Sequence, residues 1–434
     1  MAVLQSSTDV NLWLGIDFGT SGARAIAIDA NGEPQATVNQ AWVTSGRPEP
    51  LTQLWRDALY ELLAQLPRSL RQNLRAIAID GTSATVLLCD HTGQPLSTPL
   101  LYNDGRGAAA LADWRSDLPA SSVARSATGS LAKLLWFQQQ PEAKQAAHFL
   151  HQSDWLAYHL HGQLGISDYH NALKLGYDVE RLCYPDWLLA SLPATTRAWL
   201  PRILAPGAVV APVTAAIAAQ FALPATCQVC TGTTDSIAAF LASGTTTPGT
   251  AVTSLGSTLV LKLLSRVRVE DASAGIYSHR LGDLWLTGGA SNSGGAVLQH
   301  FFDPAELVSL SQQIDPTQAS PLSYYPLLRP GDRFPVNDPE LLPQLEPRPD
   351  DPAAFLHGLL ESMARLEAQG YARLQALGAT PLCQVYTAGG GAQNPQWMAI
   401  RQRHLGVPVA ISPQTQAAYG SALLAQRAVP MSRC

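Results

Sequence analysis

Apolar positions along this chain follow two rhythms, short runs and a helical repeat. Leu12 to Ile16 is an apolar run, and Arg24 to Asp29 (RAIAID) is another. Between them stand Asp17-Phe18-Gly19-Thr20-Ser21-Gly22, too few residues for anything but a turn. A Rossmann loop or a P-loop leads from strand into helix; this turn joins strand to strand, which predicts a hairpin. A third strand is expected over Gln35 to Val43. Leu51, Leu54, Trp55, Ala58, Leu59, Leu62, Leu63 and Leu66 then keep i, i+3, i+4, i+7 spacing, which predicts an amphipathic helix. Arg75 to Asp80 and Thr85 to Asp90 read as strands again, broken at Gly81-Thr82-Ser83. The opening is therefore βββαβ, a mixed sheet with helices packed on it.

The second half repeats this order. Ala251 to Thr253 and Leu259 to Leu264 are predicted strands flanking Ser254-Leu255-Gly256-Ser257-Thr258, a second small-residue hairpin. A helix is expected from about Ala353 to Leu377, followed by a strand (Gln384 to Thr387), the triplet Gly389-Gly390-Gly391 and a helix near Pro395 to His404. Two similar halves suggest an internal duplication facing a cleft. The proline-rich stretch from Leu322 to Pro352 has no periodicity and reads as a long surface excursion.

Composition narrows the function. The 434 residues carry 28 basic and 33 acidic side chains, a net charge of −5, and charged residues make up 14%, against roughly a quarter in an average domain. The length suggests two or three domains. The only lysines are Lys133, Lys144, Lys174 and Lys262, none of which follows a glycine, so there is no Walker-A loop. A mildly acidic chain without basic runs argues against nucleic-acid or anionic-membrane partners. Prolines interrupt the apolar stretch Leu204 to Pro224, which reads as short soluble elements and not as a span. The start, MAVLQSSTDVNLWLG, has neither a basic n-region nor a long apolar h-region, so the cytoplasm is expected. Six cysteines are no disulfide framework; Cys227 and Cys230 form a lone CxxC, read as two ordinary strand thiols. His159 and His161 are expected to be surface or core imidazoles.

Chemistry concentrates at three places. The first hairpin offers backbone N–H groups of Gly19, Thr20, Ser21 and Gly22, an anion-binding concavity. A carboxylate beside it, Asp17, makes sense if a divalent metal lies between it and a phosphate, since Mg²⁺ commonly uses one or two carboxylates; an ordinary hairpin with a capping Asp is the bland reading. Second, Asp235 is the single formal charge in the 59 residues from Ile203 to Leu261. It follows a Thr-rich loop, so Thr234 or Asp235 could simply cap a helix. A carboxylate buried in that setting would also hold its proton tightly, which suits a proton acceptor for a hydroxyl. Third, Gly389-Gly390-Gly391-Ala392-Gln393-Asn394 suggests a backbone bent around a flat or anionic ligand, a weak signal alone.

Together these segments resemble the FGGY carbohydrate kinases, in the superfamily that holds actin, hexokinase and the heat-shock ATPases. GIDFGTSGARAIAID is similar to the family's first phosphate hairpin, TSLGSTLVL to the second, GTTDSIAAF to the site of its catalytic aspartate and TAGGGAQNPQWMAIRQRHLGVPV to its adenosine segment. LLYNDGR (Leu100 to Arg106) resembles a substrate-side motif and SLAKLLWFQQQP the helix after it. The resemblance implies an α/β fold of two duplicated ribonuclease H-like domains (mixed βββαβαβα sheets) flanking a nucleotide and sugar cleft. Residues 1–231 would form a sugar-binding domain and 232–434 a nucleotide-binding domain, in a monomer or homodimer.

It further implies ATP and Mg²⁺ as cofactors and a small ketose or polyol as acceptor. Asp17 would organise Mg²⁺ and the γ-phosphate, with Gly19, Thr20, Ser21 and Gly22 on phosphate and Gly256, Ser257 and Thr258 clamping it. Gly390, Gly391 and Asn394 would hold the nucleoside, and Asp235 would be the base. Gln393 stands where many members have lysine. After Asp80 the chain reads GTSATVLL, with neither the xylulokinase-type Gln-Met-His nor the glycerol-kinase-type Arg-Glu. Its wording is similar to cyanobacterial and plant kinases that favour D-ribulose, which makes Thr82, Ser83, Asn103 and Asp104 the candidates for touching sugar, with D-xylulose second. An ATPase driving conformational change and an actin-like scaffold are the other readings of the fold.

Overall fold

The computed structural model describes residues 11–42, 50–114, 118–119 and 122–430. Val43 and the first ten residues, on which two of the expectations above fall, lie outside the described residues. The chain divides into two compact units, one running to Gly244 and resuming at Gln416, the other from Thr245 to Thr415. The division falls after residue 244, not at 231/232, because the helix Asp235–Ala242 packs on the helix Ala417–Ala428 and the short strand Thr233–Thr234 joins the first sheet.

The first unit is built from β1 (Leu12–Phe18), β2 (Gly22–Ile28), β3 (Pro34–Ala41), β4 (Leu74–Gly81), β5 (Val86–Cys89), β6 (His148–His151), β7 (Ile166–Asp168), β8 (Arg202–Leu204), β9 (Val209–Pro212), β10 (Gln228–Cys230) and β11 (Thr233–Thr234). Its main sheet has the order β3-β2-β1-β4-β10-β9, with β11 also paired to β4. The β1–β2 and β2–β3 pairs are antiparallel, while β4 runs parallel to β1 and to β10. β1 and β4 are buried on both faces, which is why they read as continuous apolar runs and not as alternation. The helix Leu51–Gln65 buries Trp55, Ala58, Leu59, Leu62 and Leu63 on one face of this sheet. β5 leaves the main sheet and pairs with β6, and β7 pairs with β8, in a smaller layer with its own core around Leu88, Leu134 and Phe149.

The second unit contains β12 (Thr250–Leu255), β13 (Leu259–Ser265), β14 (Tyr277–Leu281), β15 (Leu284–Ser291), β16 (Gln384–Ala388) and β17 (Val409–Ile411), in the order β14-β15-β13-β12-β16-β17. As in the first unit, an antiparallel hairpin lies beside parallel strands: β12 pairs antiparallel with β13 and parallel with β16. The two predicted halves are therefore real, and each is a mixed sheet with helices on it. The helix Pro352–Ala376 supplies the core face through Phe355, Leu356, Leu359, Leu360 and Met363.

The segment 322–352 is not a surface excursion. Tyr324, Leu327 and Phe334 are buried, and Phe334 fills space left by Gly289 and Gly370, where a Cβ would come within 2.4 and 2.6 Å of its ring. Asp332, also buried, accepts hydrogen bonds from Ser291 Oγ (2.8 Å), Asn292 N (2.7 Å) and Tyr325 OH (2.6 Å). An irregular segment anchors through single side chains, so it leaves no period to read.

Other expectations hold. Leu204 to Pro224 resolves into short elements, and no helix among the described residues is long and apolar enough to cross a membrane. Cys227 and Cys230 belong to cores on opposite faces of the first sheet, and burial pushes both thiols up to about 12. His161 is buried and His159 half-buried, and desolvation holds both imidazoles down to about 4.

The helix Ala417–Ala428 covers the opposite face of the first sheet from Leu51–Gln65, through Ala418, Ala422 and Ala425. It lies in backbone contact on two sides. A Cβ on Gly15 would stand 1.9 Å from Ala418 O, and one on Gly420 would stand 1.8 Å from Ala238 O. Gly420→Ala is expected to destabilise the protein by about 1–3 kcal/mol, the usual range for overpacking a close contact. Urea titration of the two proteins measures it; a difference under about 0.5 kcal/mol, the scale of an ordinary surface change, would contradict this packing.

Candidate active site

Three carboxylates gather at one edge of the first sheet. Register sets Asp17 beside Asp80 and Asp80 beside Thr233, so the carboxyl ends of β1, β4 and β11 finish together. Ligands bind outside the carboxyl ends of such strands. The next row is Phe18, Gly81 and Thr234, and Asp235 follows as the first residue of the helix Asp235–Ala242. Thr234 occupies the N-cap position without a side-chain capping bond, while the Asp235 carboxylate accepts from Ser236 N (2.6 Å). Asp235 is half-buried, less enclosed than its charge-poor surroundings suggest.

Asp80 is the residue that reading the sequence passed over. It is fully buried; its Oδ2 accepts from Ser421 Oγ at 2.6 Å, and its Oδ1 meets no donor. Burial drives its pKa well above the ordinary carboxylate value, reinforced by the charge of Asp17 and the hydrogen bond to it; Asp235 adds to the rise, and Ser421 opposes it. Asp17 is raised by burial as well, and the bond from Asp80 and the charge of Arg24 pull it back. Of the two, Asp80 is thus the one to hold a shared proton the more tightly. A signal did exist: the second RAIAID, Arg75 to Asp80, ends on an acid just as LGID, Leu14 to Asp17, does.

The hairpin after Asp17 closes through Gly19 N donating to Gly22 O (3.0 Å). Trp42 pins it from one side, its backbone N–H on Ser21 O (3.1 Å) and its Nε1 on Thr20 O (3.2 Å). Of the four amides expected to meet an anion, Gly19 is taken and Gly22 opens β2, while Thr20 and Ser21 have no partner among the described residues. Two exposed, open N–H donors beside a carboxylate suit a phosphate with a bridging cation.

On the sugar-side segments, Thr82 is buried and its hydroxyl is engaged by Thr85 Oγ1 (2.5 Å) and Gln152 Oε1 (3.1 Å); Ser83 is half-buried. Asn103 is exposed, and Asp104 is bound to Arg106 through Nε (3.0 Å) and Nη2 (2.7 Å). Burial pushes Asp104 up, but the hydrogen bonds and charge of Arg106 outweigh it and leave the carboxyl below its ordinary value. The two segments are tied together by Lys133, a buried lysine whose Nζ donates to Ala84 O (2.6 Å) and Leu101 O (2.5 Å). Burial lowers this ammonium to about 8.

The second unit carries its own cavity of about 420 Å³, bounded by Gly256 and Ser257 of the second hairpin, by Leu298 and Leu307, and by Gly390 and Trp397. The hairpin is fastened by the next helix, with Gly295 N on Gly256 O (2.8 Å) and Ala296 N on Ser257 O (3.2 Å). Gly294 lets that helix approach, since a Cβ there would lie 2.6 Å from Thr258 Cα. The backbone amides of Gly256, Ser257 and Thr258 have no partner among the described residues. Gly390 has open space where a side chain would stand, and Gly391 admits Trp397 and Leu255, each within 3 Å of a would-be Cβ. Asn394 lines the cavity but caps the helix Pro395–Leu405 through Trp397 N (3.0 Å) and holds Ser311 Oγ (2.8 Å). Its side chain shapes the pocket wall.

A family model described as the FGGY family of carbohydrate kinases, N-terminal domain, matches residues 12–242, and its C-terminal counterpart matches 251–429. The chain belongs to the FGGY family of carbohydrate kinases. It is 26% identical over 411 residues to the xylulose kinase of Escherichia coli K12, covering 89% of this chain and 83% of that one. A crystal structure of a "xyloylose" kinase from Brucella ovis superposes with a TM-score of 0.84 at 25% identity, covering 96% of this chain and 90% of that one. A Plasmodium falciparum glycerol kinase solved with ADP has the same fold, with a TM-score of 0.83 at 17% identity over 98% and 91% of the two chains. The protein is a sugar-phosphorylating kinase, so the scaffold and force-generating readings of the fold fall away.

Within this FGGY kinase no three His, Cys, Asp or Glu side chains among the described residues could hold a metal by themselves. That fits Mg²⁺ held with a nucleotide, which needs one or two carboxylates and takes its other ligands from phosphate and water. Asp17 would be that carboxylate, with the buried Asp80 behind it and not itself a ligand.

The shared proton has a measurable consequence. With its folded pKa raised, Asp80 keeps a proton that the unfolded chain releases above 3.8. Native stability therefore falls as pH climbs from that value towards the raised pKa. In Asp80→Asn the amide can accept from Ser421 and donate to Asp17 with no proton to lose. Without nucleotide or divalent cation, the melting temperature of the variant is expected to gain on the native protein between pH 5 and pH 8. An equal gap at both pH values would refute the shared proton.

Proposed function

We propose that this kinase transfers the γ-phosphate of ATP, with Mg²⁺, to a hydroxyl of a small ketose, with D-ribulose preferred and D-ribulose 5-phosphate the product. The observation that carries the reading is the Asp235 carboxylate at the strand-end edge that also bears Asp17 and the open amides of Thr20 and Ser21. Asp235 takes the proton of the acceptor hydroxyl, and those amides donate to phosphate oxygens. Asp17, steadied by Asp80, would hold Mg²⁺, which neutralises charge on the polyphosphate when bound. The cavity at Gly256, Gly390 and Trp397 takes the nucleoside. Chemistry of this kind is mostly positioning and charge stabilisation.

D-xylulose is the second reading, favoured by the name of the Escherichia coli relative, a xylulose kinase. The two ketoses differ only in configuration at C3, so one hydroxyl contact decides between them. The segment after Asp80 favours D-ribulose, because it has neither of the family patterns named above and presents Ser83 beside an engaged Thr82.

Coupled ADP release against pentuloses, polyols and water tests this directly. D-ribulose is expected to give the highest kcat/KM, and ADP release at the same rate without any sugar would sink the reading. Asp235→Asn should lower transfer by about 10²–10⁴-fold, the usual worth of a general base, with ATP binding retained. An Asp235→Asn protein of near-native rate would show that another group takes the proton. Asp17→Ala should shift half-saturation by Mg²⁺ to higher concentration, read from a titration of rate against the cation.

A further inference from the structure

Gln152 opens the helix Gln152–His161 and is 2% exposed. Its Oε1 accepts from Thr82 N at 3.0 Å and from Thr82 Oγ1 at 3.1 Å. A backbone N–H can only donate, so this contact settles which end of the carboxamide is oxygen. Nε2 must then point the other way, and its two N–H groups have no acceptor among the described residues. A buried donor without a partner is costly, yet this nitrogen is not among the sealed, unsatisfied atoms. It keeps its small share of the surface and opens to solvent.

Its position gives that opening a meaning. Gln152 lies against Gly81, where a Cβ would come 2.9 Å from Oε1. Gly81 follows Asp80 and stands in register with Phe18 on one side and Thr234, the residue before Asp235, on the other. The carboxamide therefore sits one row above Asp17 and Asp80, at the strand ends from which Asp235 projects. Asp17 and Asp235 can only accept hydrogen bonds when ionised, and Thr82 is occupied. A neutral donor with fixed direction complements them, since it can hold an acceptor oxygen without competing for the reacting proton.

We infer that Gln152 is a specificity-determining residue of this kinase, donating from its carboxamide nitrogen to one oxygen of the sugar acceptor. The inference rests on the proposed ketose kinase activity and adds a residue to the acceptor site. A site built to bond one oxygen rejects analogues that lack it far more strongly than it senses bulk.

The test uses the full-length protein with the ketopentose it phosphorylates, that sugar's deoxy analogues, and the alditol in which the carbonyl is reduced. Native protein and Gln152→Met are compared by kcat/KM for each acceptor. One analogue is expected to lose at least about ten-fold with the native protein and less than about three-fold further with Gln152→Met. The other analogues should keep the same penalty in both proteins, and the KM for ATP should stay within about two-fold. Identical penalties across the series would overturn the inference. If Gln152→Met does not fold, Gln152→Leu, which also lacks the nitrogen and cannot accept from a sugar hydroxyl, serves in the same comparison with the same outcomes. If native protein phosphorylates no ketose or polyol, the ketose reading itself falls and takes this inference with it; a native kinase with unaltered penalties removes the inference alone.

Discussion

The helix Ala417–Ala428 and the two glycines that let it approach are the constraint on which the first unit depends. Gly15 and Gly420 bring backbone against backbone at distances no side chain would permit. That contact joins three things far apart in sequence: β1, which leads into the first hairpin, the helix that begins at Asp235, and Ser421, whose hydroxyl reaches Asp80. Packing at this closeness leaves little freedom for the strand ends. The positions of Asp17, Asp80 and Asp235 are thus set from beneath, by a helix that belongs to the other end of the chain. The family's C-terminal model runs through this helix, although in three dimensions it belongs with the N-terminal unit.

Three acidic groups crowded at one edge would repel one another if all were ionised. Burial and the bond between Asp80 and Asp17 remove one charge from the set, leaving a neutral acid behind an anionic one. Burial also accounts for the scarcity of charge from Cys227 to Leu261, which runs through β10 and β11, the helix Asp235–Ala242, and then β12 and β13, whose side chains are largely enclosed. Basic residues there would lack water to solvate their charge. Lys133, outside that stretch, shows what a buried cation needs: two backbone carbonyls receive its hydrogen bonds.

Much of this was legible in the order of residues. The strands around both hairpins and the long helix near 353–377 follow from apolar runs and helical periodicity, whereas β14 and β15, which put four strands ahead of the helices in the second unit, were not among the predicted elements. Asp17 and Asp235 stood out because a polar group among apolar neighbours breaks a pattern. Asp80 and Gln152 did not, since each closes or opens an element where polar residues are common. Phe334 and Asp332 hid for another reason: an irregular segment has no period, and its burial depends on glycines at 289 and 370.

The sequence by itself determined most of the elements, the twofold plan and the hairpins, since these rest on local pattern and residue type, and its resemblance to the FGGY kinases carried the kind of chemistry. Only the tertiary structure decided which groups meet. Asp80 pairs with Asp17 because parallel strands align in register, and it binds Ser421 because the last helix returns. Thr82 turned out to be engaged while the nitrogen of Gln152 stands open, a distinction that depends on the direction of one carboxamide. Hydrogen bonds between residues 70 or 341 positions apart are products of packing, and no local pattern encodes them.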